Sequence, residues 1–349
     1  VAERIPMMRA ALIRQYGAPA NICTEEVPKP VPSKKFPLLV KVMATTVNPA
    51  DCKQRSGNLK MVVKHEFPVS FGQDFAGVIE AAPEGCRYKP GDHVYGCTAP
   101  RNGCGAEFVC VSESECAPKP SALDWAEAAA TATSVATAYR GIVSIGGAIA
   151  GQSVLVHGAA GGVGAAACQI AMASGCKVWG TCSTGNRAFL TSLGVTPLDY
   201  ASLPSELAAA GVGGSFFDLV LDAVGGDDYY ELSLPLLVPN GKYVSAVGPV
   251  RNGGSEPITV GTLLWTMRKL IPRLLVAAIW PWRKYHLYLS FDVGDLRQPE
   301  LAKWIEARRV LPRLDPQPFD LSQLADAHTK CETHHSEGRI VIQVGDGKH

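Results

Sequence analysis

The run Val154-Leu155-Val156-His157-Gly158-Ala159-Ala160-Gly161-Gly162-Val163-Gly164 decides the fold of this chain. An apolar, β-branched stretch leads into glycines and then into Ala165-Ala166-Ala167-Cys168-Gln169-Ile170-Ala171, which holds no early helix breaker. That order reads as strand, tight turn, helix. Glycine lets the backbone approach a pyrophosphate, and the helix start offers free N–H groups and the positive end of its dipole. The spacing is G-x-x-G-x-x-G, at Gly158, Gly161 and Gly164, rather than G-x-G-x-x-G. Tight turns also use glycine. The flanking strand and helix are what mark Gly158, Ala160, Gly161, Gly162, Val163 and Gly164 as a dinucleotide-binding loop.

Strands are expected at Ser153–His157, 177–181, Phe217–Asp222 and 242–246, with helices between the first three. This alternation predicts a parallel, doubly wound α/β sheet. An NAD site usually carries an acid about 20 residues past the loop. Here Thr181-Cys182-Ser183-Thr184-Gly185-Asn186-Arg187 offers hydroxyls, an amide and a cation, and no carboxylate. Ser183, Asn186 and Arg187 suit a 2′-phosphate, so NADPH is expected over NADH. The other reading of Arg187 is a solvated residue in the first turn of a helix. Phe217–Asp222 ends near Gly225-Gly226 at what would be the ligand-facing sheet edge, where the backbone at Val224 lines the cofactor or the glycines simply turn the chain. Tyr200, Val224 and Val247 complete the expected cofactor contacts.

Toward the N-terminus the pattern is β-rich, with strands at 38–44, 77–81, 93–96 and Phe108–Val111. At Asp124 the period changes, and Glu127 three residues on makes a capping box for an Ala-rich helix. Beyond the centre we expect a strand at 285–291, helices at 299–309 and 321–330, and a strand at 339–344. A chain of 349 residues suggests two domains.

The formal charge of +1 excludes the strongly basic surface of a general nucleic-acid binder. At 47% hydrophobic and 19% charged the chain is neither disordered nor fibrous. Eleven cysteines, irregularly spaced in a long chain, read as free thiols in a reducing compartment. Val1 in place of Met leads us to expect upstream removal, by a cleaved organelle-targeting peptide or by trimming, and no secretory signal is recognised.

Two stretches depart from this average. Residues 141–176 carry no Asp, Glu, Lys or Arg, yet nine glycines and a shifting period mark buried α/β core rather than a membrane span. Residues 257–291 carry no acid but hold Arg268, Lys269, Arg273, Arg283 and Lys284. Within them Leu263, Leu264, Met267, Leu270, Ile271, Leu274 and Leu275 form a helical stripe, which Pro272 is expected to kink or break. Trp265, Trp280 and Trp282 lie in or just after it. A stripe of Leu and Trp usually goes to core. The sharper reading makes 263–284 a peripheral contact with anionic lipid or a membrane-embedded partner.

With these residues in place the chain resembles the zinc-independent quinone oxidoreductase branch of the medium-chain dehydrogenase/reductase superfamily. The resemblance includes its chloroplast-envelope and mitochondrial reticulon-4-interacting members. The markers are Val47-Asn48-Pro49-Ala50-Asp51, Gly72-Gln73-Asp74-Phe75-Ala76-Gly77, Lys89-Pro90-Gly91-Asp92, Gly105-Ala106-Glu107-Phe108, the glycine loop and Gly338-Arg339-Ile340-Val341. It implies a bilobal α/β enzyme: a GroES-like, β-rich catalytic domain over 1–124 and 294–349, a Rossmann domain over 125–293, and an active site in the cleft.

Zinc relatives place Cys where this chain has Pro49 and His-Glu where it has Gln73-Asp74. Cys97, Cys104, Cys110 and Cys116 lack the paired spacing of a structural zinc lobe, so no metal is expected. Asn48 matches the family Asn near the nicotinamide. Lys53 stands where many relatives carry Tyr, and either binds the cofactor, polarises a carbonyl or is a solvated surface lysine. Tyr139 reads as structural.

The resemblance implies an NADPH-dependent reductase of small hydrophobic quinones or α,β-unsaturated carbonyls, a homodimer in which the 263–275 stripe covers the active-site mouth and dimer face, and an organellar location, mitochondrial ahead of plastid. The alternative is an NADPH-binding accessory subunit of an organellar membrane complex, with little or no turnover.

Overall fold

The structure, a computed structural model, describes residues 6–250, 256–279, 284–288, 293–333 and 336–345. In chain order the first elements are β1 (Met7–Ile13), β2 (Cys23–Pro28), β3 (Leu38–Val47), α1 (Pro49–Arg55), β4 (Val69–Ser70), β5 (Asp74–Ala81), β6 (His93–Cys97), β7 (Phe108–Val111), β8 (Cys116–Pro118) and α2 (Trp125–Tyr139). The family marker at Asn48 turns out to be a helix start. Asn48 caps α1, Pro49 occupies its first turn, and the Asn48 N–H donates to Asp51 Oδ2 at 2.7 Å. The capping box expected before α2 is present, with Glu127 N–H donating to Asp124 Oδ1 at 2.7 Å.

Next come β9 (Ser153–His157), α3 (Gly162–Ala173), β10 (Lys177–Cys182), α4 (Arg187–Ser192), β11 (Thr196–Asp199), α5 (Leu203–Ala209), β12 (Phe217–Asp222), α6 (Asp227–Ser233), β13 (Leu237–Ser245), α7 (Val260–Ile279) and β14 (Lys284–Leu287). Helix α7 continues through Pro272, so of the expected kink or break the break does not occur. Proline removes a single N–H from the helix ladder, and a helix of 20 residues retains the rest. Trp280, Trp282 and Arg283 of the basic segment, and residues 289–291 of the strand expected at 285–291, lie outside the described residues. The chain closes with α8 (Pro299–Glu306), β15 (Phe319–Asp320), α9 (Leu324–Glu332) and β16 (Ile340–Gln343). Helix α8 stops short of the expected residue 309 because Arg308 takes the left-handed conformation, φ 54°.

Two compact units result. One comprises Val1–Ala136, Phe291–Arg308 and Pro312–His349, the other Thr137–Ser290 and Arg309–Leu311. Their division falls inside α2. The first unit is β-rich, with antiparallel β3–β5 and β5–β6 pairs and a core of Val40, Val42, Phe75, Ile79 and Val94 closed by Leu324 and Ala327 of α9. The second holds a parallel sheet in the order β11-β10-β9-β12-β13-β14. Counted within this sheet the order is 3-2-1-4-5-6, which reverses between β9 and β12. Ligands bind at such a switch point, outside the carboxyl ends of the strands.

Candidate functional site

The glycine loop leaves β9 and the Gly225 turn leaves β12, so both emerge at the switch point. Gly158 has φ +71°, a conformation only glycine adopts freely, and a Cβ there would stand 2.7 Å from Val224 Cγ2. A Cβ on Gly164 would stand 2.1 Å from the Gly158 carbonyl oxygen, so only glycine lets α3 seat against the loop. Helix α3 begins at Gly162 and its N-cap, Gly161, makes no side-chain cap bond. The first-turn N–H groups are therefore left for a ligand.

A cavity of about 480 Å³ opens here. Gly158, Ala160 and Gly161 line it from the loop, Thr181, Cys182, Ser183 and Asn186 from the end of β10, and Tyr200 from beyond β11. Ala223, Val224 and Tyr229 close it from the β12 side. No Asp, Glu, Lys or Arg is among these residues. Asp199, just before Tyr200, accepts from Thr184 Oγ1 and from the Ala201 N–H at 2.9 Å, and these bonds hold its carboxyl below the usual carboxylate range.

The structure thus gathers seven of the expected cofactor residues: Gly158, Ala160, Gly161, Ser183, Asn186, Tyr200 and Val224. Gly162, Val163 and Gly164 build the start of α3 instead of the wall. Val247 packs on the Gly225 turn, its Cγ1 2.8 Å from where a Gly225 Cβ would be. Arg187, expected to take the 2′-phosphate, forms an ion pair of 2.9 Å with Glu206 and does not line the cavity.

Sequence reasoning missed Thr181, Cys182, Ala223 and Tyr229. The Thr181 Oγ1 accepts the Gly158 N–H at 3.1 Å and its carbonyl accepts the Ala159 N–H at 2.9 Å, so it anchors the loop. Tyr229 packs against His157 with the rings tilted by 38° and their centroids 4.5 Å apart. The signal was available, since the first turn of a helix starting after Gly225-Gly226 must return to the same edge. His157 is fully buried, its Nε2 2.9 Å from Ser233 Oγ, and burial pulls its pKa down to about 4. Asp222 fixes the opposite turn by accepting from the Val224 and Gly225 N–H groups at 2.9 and 2.8 Å.

In the β-rich unit, Asn48 is 5% exposed and held at both ends of its amide. Its Nδ2 donates to Asp74 Oδ2 at 3.0 Å and its Oδ1 accepts from Arg339 Nη1 at 2.5 Å. Arg339 also donates to Asp74 at 2.6 Å, and Thr46 to the same carboxylate at 2.6 Å. A buried network of this kind fixes the start of α1, with Arg339 Nε and Asp51 Oδ1 left as its buried atoms without a hydrogen-bond partner. Burial pushes the Asp51 carboxyl up to about 7. Lys53, one turn into α1, is half-buried, and burial pulls its ammonium pKa below the ordinary lysine value. It is therefore not a solvated surface lysine. The eleven cysteines carry free thiols, and among the described residues no group of three or more His, Cys, Asp or Glu is arranged to hold a metal ion.

A β-rich unit and a 3-2-1-4-5-6 sheet with a glycine cradle at its switch point define a dinucleotide-dependent oxidoreductase. Comparison with known proteins agrees. The alcohol dehydrogenase GroES-like domain family matches residues 34–121 and the zinc-binding dehydrogenase family residues 194–342. The chain is 28% identical over 381 residues to mouse (Mus musculus) NAD(P)H oxidoreductase RTN4IP1, mitochondrial, covering 98% of this chain and 91% of that protein. It is 30% identical over 353 residues to 2-methylene-furan-3-one reductase of Solanum lycopersicum, covering 96% and 79%. The solved quinone oxidoreductase of Coxiella burnetii superposes with a TM-score of 0.77 at 29% identity, covering 97% of this chain and all of the other. The chain belongs to the medium-chain dehydrogenase/reductase superfamily.

Proposed function

We propose that the chain is an NADPH-dependent reductase of small hydrophobic quinones or α,β-unsaturated carbonyls, working without a metal. The observation that carries the reading is the switch-point cavity, where a glycine cradle meets a hydroxyl- and amide-bearing wall free of carboxylates. Gly158, Ala160 and Gly161, with the open α3 N-terminus, would hold the pyrophosphate. Ser183, Asn186 and Tyr200 would take the adenosine ribose and its phosphate, where an acid would repel it. Bound there, NADPH supplies a hydride to an electron-poor carbon, the β-carbon of an enone or the ring of a quinone. Lys53 is the residue we assign to the substrate carbonyl, because a desolvated ammonium stabilises developing negative charge on oxygen and holds a proton for it. Asn48, tied at both ends, positions α1 and hence Lys53. The names of the tomato and Coxiella relatives support turnover over a purely accessory role.

We place the protein in an organelle, the mitochondrion ahead of the plastid, a reading the mouse relative's name supports.

The test is oxidation of NADPH and of NADH by the purified protein with quinones, alkenals and longer enones. We expect NADPH to be strongly preferred. Comparable rates with NADH would overturn the reading of Ser183, Asn186 and Tyr200. Lys53→Met should lower kcat by roughly tenfold to a hundredfold while leaving the Kd for NADPH unchanged.

A further inference from the structure

Cys52 in α1 and Cys331 in the last turn of α9 take no part in the chemistry assigned above. The two helices pack against each other, and a side-chain hydrogen bond joins the two thiols. The Cys52 Sγ also lies 3.4 Å from Nδ1 and 3.8 Å from the carbonyl oxygen of His328, one turn before Cys331. Buried cysteines are ordinary core residues, and both belong to the core closed by α9. Three features set this pair apart. Charged groups surround it: Arg55, 1% exposed, donates from Nε to the same His328 Nδ1 at 3.4 Å and pairs with Glu332. Burial and the Arg55 charge pull the His328 pKa down to about 3, so the ring is neutral and Nδ1 accepts. The Cys331 thiol is pulled below its ordinary pKa because Cys52 donates to it, whereas burial pushes the Cys104, Cys116 and Cys168 thiols up. Finally, Cys52 and Cys331 keep 5% and 7% of their surface in solvent, where Cys104, Cys116 and Cys168 keep none.

We propose that Cys52 and Cys331 are a two-electron redox site, which a hydroperoxide closes to a disulfide between α1 and α9. The Cys331 thiolate attacks one oxygen of hydrogen peroxide. An S–O bond forms, the O–O bond breaks, and the departing hydroxide takes up the proton that Cys331 released. The Cys52 sulfur then attacks the Cys331 sulfenic acid. The S–S bond forms, the S–O bond breaks, and hydroxide leaves with the Cys52 thiol proton as a second water. The two sulfurs lose two electrons and the peroxide gains them. In a reducing compartment the pair rests as thiols and closes only when oxidant rises. Lys53 follows Cys52, and negative charge on either sulfur favours its ammonium form against burial. Closing the disulfide removes that charge, so turnover falls; this consequence rests on the role given to Lys53 above.

The experiment treats the full, reduced chain with a few equivalents of hydrogen peroxide, blocks the remaining thiols with N-ethylmaleimide and maps the peptides by mass spectrometry. We expect two of the eleven thiols to be lost, in a peptide linking Cys52 to Cys331, and dithiothreitol to restore both. In Cys52→Ala, dimedone should trap a sulfenic acid at Cys331. NADPH oxidation should fall roughly fivefold on closure and recover with dithiothreitol. Wild-type peptides in which both thiols remain open to alkylation overturn the proposal, and so does their oxidation only alongside Cys104 and Cys168 once the Tm has collapsed. A linked peptide at unchanged turnover upholds the redox site and counts instead against Lys53. Thiol mapping needs no NADPH, so failure of the reductase reading leaves this test standing.

Discussion

Helices α3 and α7 are both apolar in sequence and lie on opposite sides of the boundary with water. Gly164 to Cys168, with Ile170 and Ala171, are buried, whereas α7 buries only an arginine. Side-chain size accounts for part of this. Gly and Ala let α3 come close to the central strands β9 and β10, with Gly164 against the Gly158 backbone. Position accounts for the rest. Helix α7 packs against β14, the outermost strand described in the sheet, and Leu270 and Ala277 reach the core from its inner side. An element at a sheet edge has only one side to cover, and its large apolar residues face out. Apolar periodicity therefore reports that a surface wants burial, and does not say by what.

Substitutions should separate the two helices. Ala167 is fully buried in α3, and Ala167→Glu would put an unpaired charge against β9 and β10. We expect a loss above about 4 kcal/mol, seen as failure to fold or collapse of Tm. Acid should act on the same region. His157 is neutral in the fold with its pKa near 4, below its unfolded value, so the unfolded state binds more protons between about pH 6.5 and 4. Stability falls as pH drops through that window, by up to about 3 kcal/mol from this group. Comparing denaturant midpoints of wild type and His157→Gln across that range isolates the effect, and parallel curves would refute it.

Gly164→Ala should cost about 1–3 kcal/mol and weaken NADPH binding at least tenfold in a fluorescence titration, because the clash is with backbone and cannot be relieved by a rotamer. Leu275→Glu on the open face of α7 should change stability by less than about 0.5 kcal/mol by urea denaturation. A large loss there would mean that α7 is covered, and the comparison would fail.

Much of the reductase was legible in the residues. Ser153–His157 and Phe217–Asp222 form strands at the expected positions, and the glycines that the loop spacing singled out lie at the switch point. Strands β1, β2 and β11 were not legible, since Met-Met-Arg-Ala-Ala-Leu-Ile, Cys-Thr-Glu-Glu-Val-Pro and Thr-Pro-Leu-Asp do not alternate. They are strands because neighbours pair with them. The site divided in the same way. Ser183 and Asn186 follow from their place after β10, whereas the Arg187 pairing with Glu206, 19 residues on, is in reach only once α5 has packed.

The sequence by itself determined the alternation of strands and helices, the glycine cradle and the lack of an acid beyond it, because these depend on neighbours within a few residues. Only the tertiary structure decided the partners of Asn48 and Arg187 and the side of α7 that meets water. Asp74 and Arg339 lie 26 and 291 residues from Asn48, and no local pattern records which distant charge a side chain will meet.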